Sequence, residues 1–270
     1  MNPAMSISGV TRLCFVVGDP TFQLRTPAAL NRIATEHGID VVSLPANVVA
    51  GDLGSFLTGL RAMNNAAGAV LTIPHKQTGA TLCDELGPQA SLSGAVNTIR
   101  RDPDGRLIGE GFDGLGFVAG LHAQDINPEG MTVVLLGAGG AASSIAIALA
   151  AAGVKHITLV NRTPQRLTEL QKILESGFPA LEITVAATAP SNADLFINAT
   201  PVGMSPGDQS LLPAGFFPSD TIAADVIMSN ELTPFLTAAH ATGARTHGGT
   251  HMLQGQIRLI AEFLGIAHHA

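Results

Sequence analysis

Thr132-Val133-Val134-Leu135-Leu136-Gly137-Ala138-Gly139-Gly140-Ala141-Ala142 is a short apolar run that breaks into glycines, and an alanine-rich stretch follows it to Gly153. An apolar run of this length, bounded by glycine, predicts a buried strand, and residues 143–152 predict a helix packed closely on it. The glycines permit a tight turn and a close approach of the backbone to a pyrophosphate, which the helix N-terminus stabilises. The turn is therefore predicted to bind a dinucleotide through Gly137, Ala138, Gly139, Gly140 and Ala141. The alternative is a glycine-rich turn in a purely structural strand–helix unit.

A second apolar run, His156–Val160, predicts the next buried strand, and it is followed by Asn161-Arg162-Thr163. A fold that binds NAD usually has an acidic residue at this point for the ribose 2′-hydroxyl. Here the side chain is an arginine, which can hold a 2′-phosphate with two hydrogen bonds, and Arg166 offers a second contact one turn further on. We therefore predict NADP rather than NAD. The alternative is that both arginines are ordinary solvated charges.

The composition limits the classes of function. The 270 residues are 46% hydrophobic and 13% charged, with a formal net charge of −7, and the chain is long enough for two domains. A negative balance without a basic cluster argues against nucleic acid or an acidic membrane surface as partner. The N-terminal residues lack the basic and apolar segments of a signal peptide, and no apolar stretch is long enough to span a bilayer. A cytoplasmic protein is expected.

The numbers and positions of the cysteines and histidines, and the absence of tyrosine, limit the groups that can bind a metal or act as a proton donor. Two cysteines, Cys14 and Cys83, make neither a disulfide framework nor a zinc site, and the nine histidines are not clustered at metal-ligand spacing. We expect no metal ion. Because the chain has no tyrosine, a tyrosine proton donor is excluded and another group must act as the acid.

The chain before the glycine-rich stretch alternates strands and helices. Residues 12–17, 39–44 and 68–73 predict strands, and residues 52–63 predict a helix. Another helix is predicted from Thr26, as N-cap before Pro27, to Gly38. This alternation predicts a parallel α/β unit that precedes the nucleotide-binding unit.

Further elements are predicted on both sides of the glycine-rich stretch. They comprise a helix after Pro74, a hairpin of residues 94–100 and 106–110, a helix over 113–124, strands over 182–187, 194–198 and 221–227, and helices over 233–242 and 252–264.

Nine short motifs, in one order, resemble the shikimate dehydrogenase family over nearly the whole chain. The motifs are Gly18-x-Pro20 with Pro27 and Asn31; Thr72-Ile73-Pro74-His75-Lys76; Gly94-Ala95-Val96-Asn97-Thr98; Asp113-Gly114-x-Gly116; Gly137–Ala142; Asn161-Arg162-Thr163; Asn198-Ala199-Thr200-Pro201-Val202-Gly203-Met204; Thr233-Pro234; and Gly249-x-x-Met252-Leu253-x-x-Gln256. Each motif is modest alone, but their order together is highly specific.

The resemblance implies an α/β protein with an N-terminal substrate domain, a Rossmann-like NADP-binding domain and an active site in the cleft between them. The implied substrate domain takes residues 1–112 and 250–270, and the implied NADP domain takes residues 113–249. The implied reaction is NADP-dependent interconversion of 3-dehydroshikimate and shikimate. Quinate or another cyclic hydroxy acid as substrate, or a non-catalytic NADP-responsive regulator, remain alternatives. A monomer or a homodimer is expected.

The resemblance also implies roles for individual residues. Lys76 and Asp113 stand at the catalytic positions, and Thr72, Asn97 and Gln256 stand where family members contact substrate. Further cofactor contacts are implied at Thr200, Pro201, Val202, Met204, Met228, Gly249 and Met252.

Reduction of a ketone leaves negative charge on its oxygen, so an acid and a cation are needed, and Lys76 can supply both. Lys76 and Asp113 would titrate as a pair, so the proton is not assigned to either one. Taken alone, Lys76 would be interpreted as an exposed lysine in a first helical turn, and Asp113 as a helix N-cap; the surrounding motifs favour the catalytic pair.

The departures from the family fall in the substrate pocket. The family's Ser-x-Ser, which holds the substrate carboxylate, is here Leu24-Arg25-Thr26; an asparagine is replaced by Val70, an Asn-Thr pair by Gly111-Phe112, and a tyrosine by Met228. Arg25 could replace the serines as carboxylate anchor, with Thr26 beside it, or could simply face solvent. Unless Arg25 turns inward, we expect weak affinity for shikimate.

Overall fold

The computed structural model describes residues 7–268 except 23, 206 and 229–231. The described chain forms two compact units, one from Met1–Phe112 with Ile257–Ala270 and the other from Asp113–Gln256. In the C-terminal region the units divide between residues 256 and 257, seven residues beyond the boundary suggested by the motifs. None of the helices within the described residues is long and apolar enough to cross a membrane.

The first unit is built on a six-stranded mixed sheet. Its elements are β1 (Arg12–Gly18), α1 (Thr26–His37), β2 (Val41–Asn47), α2 (Leu53–Ala62), β3 (Ala66–Leu71), α3 (Lys76–Leu82), β4 (Glu85–Leu86), α4 (Pro88–Ser93), β5 (Thr98–Arg101) and β6 (Leu107–Glu110). The strand order is β2-β1-β3-β5-β6-β4. β1 pairs in parallel with β2 and β3, as predicted, whereas β5 runs antiparallel to both β3 and β6 as the second half of the unit turns back.

The prediction that Thr26 caps α1 is wrong. Thr26 is the first helical residue, and Arg25 occupies the N-cap position without a side-chain capping hydrogen bond. Pro27 still lies in the first turn, where its missing N–H costs nothing. The helix ends, as predicted, at Gly38, which adopts the left-handed conformation with φ of 66°.

The second unit is built on a six-stranded parallel sheet. Its elements are α5 (Asp113–His122), β7 (Thr132–Leu136), α6 (Gly140–Ala151), β8 (His156–Val160), α7 (Pro164–Gly177), β9 (Glu182–Ala186), β10 (Leu195–Asn198), β11 (Ile222–Asp225), α8 (Pro234–His240), β12 (Arg245–His247) and α9 (Gly249–Phe263), whose residues from Ile257 onward belong to the first unit. The strand order is β9-β8-β7-β10-β11-β12. This is the order of dinucleotide-binding folds, in which ligands bind where the order reverses, beside the first strand, β7.

α6 packs on the sheet as an almost wholly apolar helix. It begins at Gly140, three residues before the predicted start, because Gly140, Ala141 and Ala142 already form its first turn and Gly139 is its N-cap residue. Ile145, Ile147 and Leu149 are buried. The predicted strand before it, Thr132–Leu136, is present with its last four residues buried.

Candidate functional site

The turn between β7 and α6 has the geometry of a phosphate site. Gly137 has φ of 116°, and a Cβ there would lie 2.9 Å from the carbonyl oxygen of Ala199, so only glycine fits. A Cβ on Gly139 or Gly140 would meet nothing within 4 Å, so the space in front of the first turn of α6 is open. The first-turn N–H groups of a helix have no intrahelical acceptor and bind anions. The turn therefore fits a pyrophosphate.

The loop after β8 borders this turn. Gly137 N donates to the Val160 carbonyl over 2.8 Å, so the phosphate turn and the end of β8 are joined. Asn161 Nδ2 donates to the carbonyl of Thr163, the N-cap residue of α7. Arg162 and Arg166 are exposed, and neither guanidinium bonds to any described residue. Their charges are therefore available to a phosphate group at this edge.

The loops after β10 and β11 hold the other predicted cofactor contacts. The Thr200 hydroxyl donates to Asn198 Oδ1 and accepts from Val202 N, so it shapes its own loop. Pro201 is exposed, and the residues Met204 and Met228 are 67% and 62% exposed. Such apolar exposure beside a phosphate turn suits the flat ring of a cofactor.

The start of α9 lies close against the residues after β11. A Cβ on Gly249 would be 2.5 Å from the Val226 carbonyl and 2.7 Å from the Ile227 carbonyl, so a larger residue would push α9 away. Met252 is half-buried one turn further on. Gly249 thus allows α9 to lie close to the backbone after β11, whereas any contact of Met252 with the cofactor would involve its side chain.

Asp113 and Gln256 meet within the second unit. Gln256 Nε2 donates a short hydrogen bond to Asp113 Oδ1. This contact depends on glycine, because a Cβ on Gly116 would lie 2.6–2.8 Å from the backbone and Cβ of Gln256. A Cβ on Gly114 would lie 1.9 Å from the Ser144 carbonyl of α6. The two glycines that follow Asp113 therefore let α5 pack against both α6 and α9.

In the first unit, Thr72 and Lys76 follow β3, whose carboxyl end lies beside that of β1. The Thr72 amide donates to the Val17 carbonyl, and the Lys76 carbonyl accepts from Val96 N over 2.9 Å. Asn97 comes next, and its carbonyl accepts from Leu71 N. The structure thus brings Thr72, Lys76 and Asn97 to one edge of this sheet, where ligands bind in α/β proteins.

Asn97 is 3% exposed, and its Oδ1 accepts hydrogen bonds from Phe112 N and Thr98 Oγ1. Its acceptor oxygen is therefore engaged within the protein.

The substituted pocket positions differ in where their side chains lie. Val70 and Phe112 are each only 6% exposed, and the Phe112 ring packs edge-on against Phe263 at 5.2 Å. These residues remove polar groups, relative to the family, but add little exposed apolar surface. Arg25 is exposed and its guanidinium bonds to no described residue, while Thr26 is half-buried.

Two residues of this region were not found from the sequence. His75 is 2% exposed, and its Nε2 donates to the Val48 carbonyl over 2.7 Å, which ties the start of α3 to the end of β2. Glu110, 8% exposed, accepts hydrogen bonds from Ala90 N and Gly111 N. His75 lies inside a family motif, but only the fold reveals its partner.

Within the described parts of the chain, His, Cys, Asp and Glu side chains form no group of three or more that could hold a metal ion.

Comparison with known proteins agrees with this geometry. The family model of the shikimate dehydrogenase substrate binding domain matches residues 16–99, and that of shikimate / quinate 5-dehydrogenase matches residues 121–203. The shikimate dehydrogenase (NADP(+)) of Alkaliphilus metalliredigens is 34% identical over 259 residues, which cover 93% of this chain and 90% of the relative.

Two solved structures are also similar. Shikimate 5-dehydrogenase from Listeria monocytogenes, in complex with shikimate and NAD, has a TM-score of 0.90 at 29% identity and covers 96% of this chain and 93% of its own. Ligand-free 5-ketofructose reductase of Gluconobacter sp. strain CHM43 has a TM-score of 0.87 at 32% identity, over 94% and 92% of the two chains.

The parallel sheet, the open glycine turn and the basic loop after β8 define a dinucleotide-binding α/β protein. The chain belongs to the shikimate dehydrogenase family. The resemblance, the α/β fold class and the assignment to an oxidoreductase family are therefore confirmed. The name of the Alkaliphilus relative specifies NADP(+), in agreement with the cofactor predicted from Arg162.

Proposed function

We propose that the protein is an NADP-dependent oxidoreductase that interconverts shikimate and 3-dehydroshikimate. The observation that carries the proposal is the hydrogen bond from Gln256 to Asp113, which holds one carboxylate oxygen in place beside the phosphate-binding helix α6. The motif that holds Lys76 is retained on the first unit, at the same sheet edge as Thr72. The identity to curated shikimate dehydrogenases over nearly the full chain supports the same reaction.

The proposed chemistry assigns one task to each group. NADPH, when bound, supplies the hydride. Lys76 stabilises the negative charge that develops on the substrate oxygen and exchanges the proton there. Asp113, oriented by Gln256, accepts a hydrogen bond from a substrate hydroxyl. Thr72 and the Nδ2 group of Asn97 hold further ring hydroxyls.

The residues proposed to hold NADP divide by the part of the cofactor that they contact. Gly137, Ala138, Gly139, Gly140 and Ala141 hold the pyrophosphate, while Asn161, Arg162, Thr163 and Arg166 hold the 2′-phosphate and adenosine. The remaining contacts, at the nicotinamide end, are Thr200, Pro201, Val202, Met204, Met228, Gly249 and Met252. On this proposal Asp113–Gln256 is the NADP-binding unit and the other unit binds substrate.

A direct assay tests the function. Purified protein is mixed with shikimate or quinate at high concentration, with NADP or NAD, and the formation of reduced cofactor is followed. We expect turnover with shikimate and a clear preference for NADP. Absence of turnover with both acids would overturn the substrate, and failure to bind either dinucleotide would overturn the whole proposal.

A second candidate substrate is a cyclic polyol ketone without a carboxylate. The observation in its favour is the carboxylate-binding region, where Leu24 and Thr26 replace two serines and Val70 and Phe112 are buried and apolar. The similar Gluconobacter protein is a 5-ketofructose reductase. Because an unpaired carboxylate costs about 1–3 kcal/mol or more, an uncharged substrate would bind such a pocket better.

Parallel NADPH oxidation assays separate the two candidates. A kcat/KM for 3-dehydroshikimate above that for 5-ketofructose supports the first, and the reverse supports the second. NADPH binding without turnover of either would favour a regulatory protein, although a sensor has no need to keep both Lys76 and Asp113. We propose that the enzyme acts in the cytoplasm as a monomer or homodimer, which fits its NADPH-dependent chemistry.

A further inference from the structure

Three polar side chains are buried together at the carboxyl edge of the second sheet, where no role was predicted for them. Asn198 ends β10 and Asp225 ends the adjacent β11, and both are 0% exposed. Thr233, 4% exposed, is the N-cap residue of α8. Buried polar groups are costly unless they are paired, so their hydrogen bonds decide what they do.

The Asp225 carboxylate accepts from three directions. Oδ2 accepts from Thr233 Oγ1 over 2.6 Å and from Asn198 Nδ2 over 3.0 Å. Oδ1 accepts from Ile227 N over 3.0 Å, which turns the chain immediately before Met228. Burial raises the pKa of Asp225, while these three hydrogen bonds act in the opposite direction. All three contacts are donors, as a carboxylate requires.

The Asn198 side chain connects Asp225 to the loop that follows β10. Its Nδ2 also donates to the Val202 carbonyl over 3.0 Å, and its Oδ1 accepts from the Thr200 amide and hydroxyl. The Thr200 hydroxyl in turn accepts from Val202 N. The loop that bears Thr200 and Val202 is therefore held to Asp225 by side-chain hydrogen bonds rather than by strand pairing.

We propose that Asp225, Asn198 and Thr233 form a positioning network that sets the two loops that receive the nicotinamide end of the cofactor. One loop bears Thr200–Met204 and the other bears Met228. The Asp225 carboxylate is bonded directly to Ile227 of the second loop and, through the Asn198 side chain, to the first. The inference rests on the proposed function, because it assigns the network to NADP binding. Among the described residues, none of the three side chains has a hydrogen bond to Gly137–Gly140 or to Arg162, so we expect a smaller effect at the adenosine end of the cofactor.

Threonine substitutions provide a graded test. Thr233→Val removes the hydroxyl with almost no change of shape, and Thr233→Ser keeps it. Thr237→Val, the same substitution on the exposed face of the same helix, is the matched control. Asp225→Asn is a second variant. It leaves the capping oxygen of Thr233 in place, but it replaces one accepting oxygen of residue 225 by an NH₂ group, which faces groups that are themselves donors.

Three quantities are measured. The Kd for NADPH is obtained from the fluorescence of NADPH itself, and the Kd for 2′,5′-ADP reports on the adenosine end alone. The third quantity is kcat at saturating substrate. We expect Thr233→Val and Asp225→Asn to raise the NADPH Kd about 5–10-fold, the worth of one hydrogen bond, and to lower kcat. Kd for 2′,5′-ADP should stay within about twofold of wild type. Thr233→Ser should restore NADPH binding.

Each other outcome contradicts the inference in an identifiable way. Unchanged NADPH binding and kcat in Thr233→Val and Asp225→Asn would show that the network does not set the loops. Equal weakening of NADPH and 2′,5′-ADP would show general damage to the unit, and an equal effect of Thr237→Val would assign it to helix α8. If the wild-type protein binds neither 2′,5′-ADP nor NADPH, the proposed function itself fails.

Discussion

Lys76 is the first residue of α3, and the hydrogen bond of its carbonyl to Val96 N fixes its backbone beside Asn97. If its ammonium group serves as acid and cation, Lys76→Ala should lower kcat by about 10²–10⁴-fold, the usual worth of general acid–base catalysis. NADPH binding should change little, because Lys76 lies outside the unit that we propose to bind NADP. Steady-state kinetics with shikimate and a separate NADPH titration measure the two effects.

Lys172→Ala on α7, an exposed lysine of the second unit, is the control for Lys76→Ala and should keep wild-type kcat. A near-normal kcat in Lys76→Ala would remove the lysine from the acid role and leave Asp113 as the group to test, through Asp113→Asn.

Arg162 is the residue that we propose to select NADP over NAD. It is exposed directly after β8 and bonds to no described residue, so its truncation costs the free protein little. Arg162→Ala should raise KM for NADPH about 10-fold or more and leave KM for NADH almost unchanged, because only the 2′-phosphate contact is lost. Arg32→Ala, on the exposed face of α1, is the control. Equal losses with both cofactors would give Arg162 a structural role instead.

Arg25 decides whether the substrate carboxylate has an anchor. The residue occupies the N-cap position of α1 with its guanidinium exposed, and the serine hydroxyls of the family are absent. If it binds the carboxylate, Arg25→Ala should raise KM for shikimate about 10-fold or more with little change in kcat, because a charge-assisted hydrogen bond is worth about 1.5–3 kcal/mol. KM for an uncharged polyol ketone should not change. An unaltered KM for shikimate would exclude the anchor and favour the second candidate substrate.

Among the secondary-structure elements, α5 and α9 define the site most directly. Gly116 allows Gln256 to reach Asp113, so Gly116→Ala should force the helices apart and destabilise the protein by about 1–3 kcal/mol. It should also lower kcat, because Asp113 loses the hydrogen bond that orients it. Unfolding by urea, followed by far-UV circular dichroism, and steady-state kinetics measure the two effects.

Gly59→Ala in α2 is the matched control, because a Cβ there meets nothing within 4 Å. In an open helical position this substitution stabilises by about 0.4–1 kcal/mol. A Gly116→Ala protein as stable and active as wild type would show that the close approach of the two helices is not required.

The sequence predicted elements well where the signal is local. Thr132–Leu136 and His156–Val160 are strands as predicted, because each is an apolar run with a sharp end. β12 was missed because three residues form a strand only when β11 lies beside them. α4, six residues long, was missed for the same reason: its first turn is held by the distant Glu110. Motifs located Asn198 and Thr233, but only the fold shows that both bond to Asp225.

At the scale of the whole molecule, we expect the buried histidine His247 to lower stability in acid. His247 is 1% exposed, neither ring nitrogen has a hydrogen-bond partner among the described residues, and its ring packs against Phe117 and stacks on His251. Burial lowers the pKa of His247 to about 4, with smaller contributions from the charges of His251 and Arg245.

His247 is therefore neutral in the folded protein at a pH where it is charged in the unfolded chain. The unfolded histidine takes up a proton below about pH 6.5, so stability should fall as the pH drops from there to the folded pKa of about 4. The free energy of unfolding should fall by about 3 kcal/mol in all, and by about 2 kcal/mol at about pH 5.

Urea unfolding of wild type and His247→Leu at about pH 7.5 and about pH 5 measures this loss. Because the chain has no tryptophan or tyrosine, far-UV circular dichroism is the appropriate signal. His247→Leu should lose markedly less stability between the two pH values, whereas His240→Leu, an exposed histidine on α8, should behave as wild type. An equally steep fall in His247→Leu would assign the acid sensitivity to other groups, such as Asp84, whose pKa the Arg61 hydrogen bond lowers and whose contribution is lost at still lower pH.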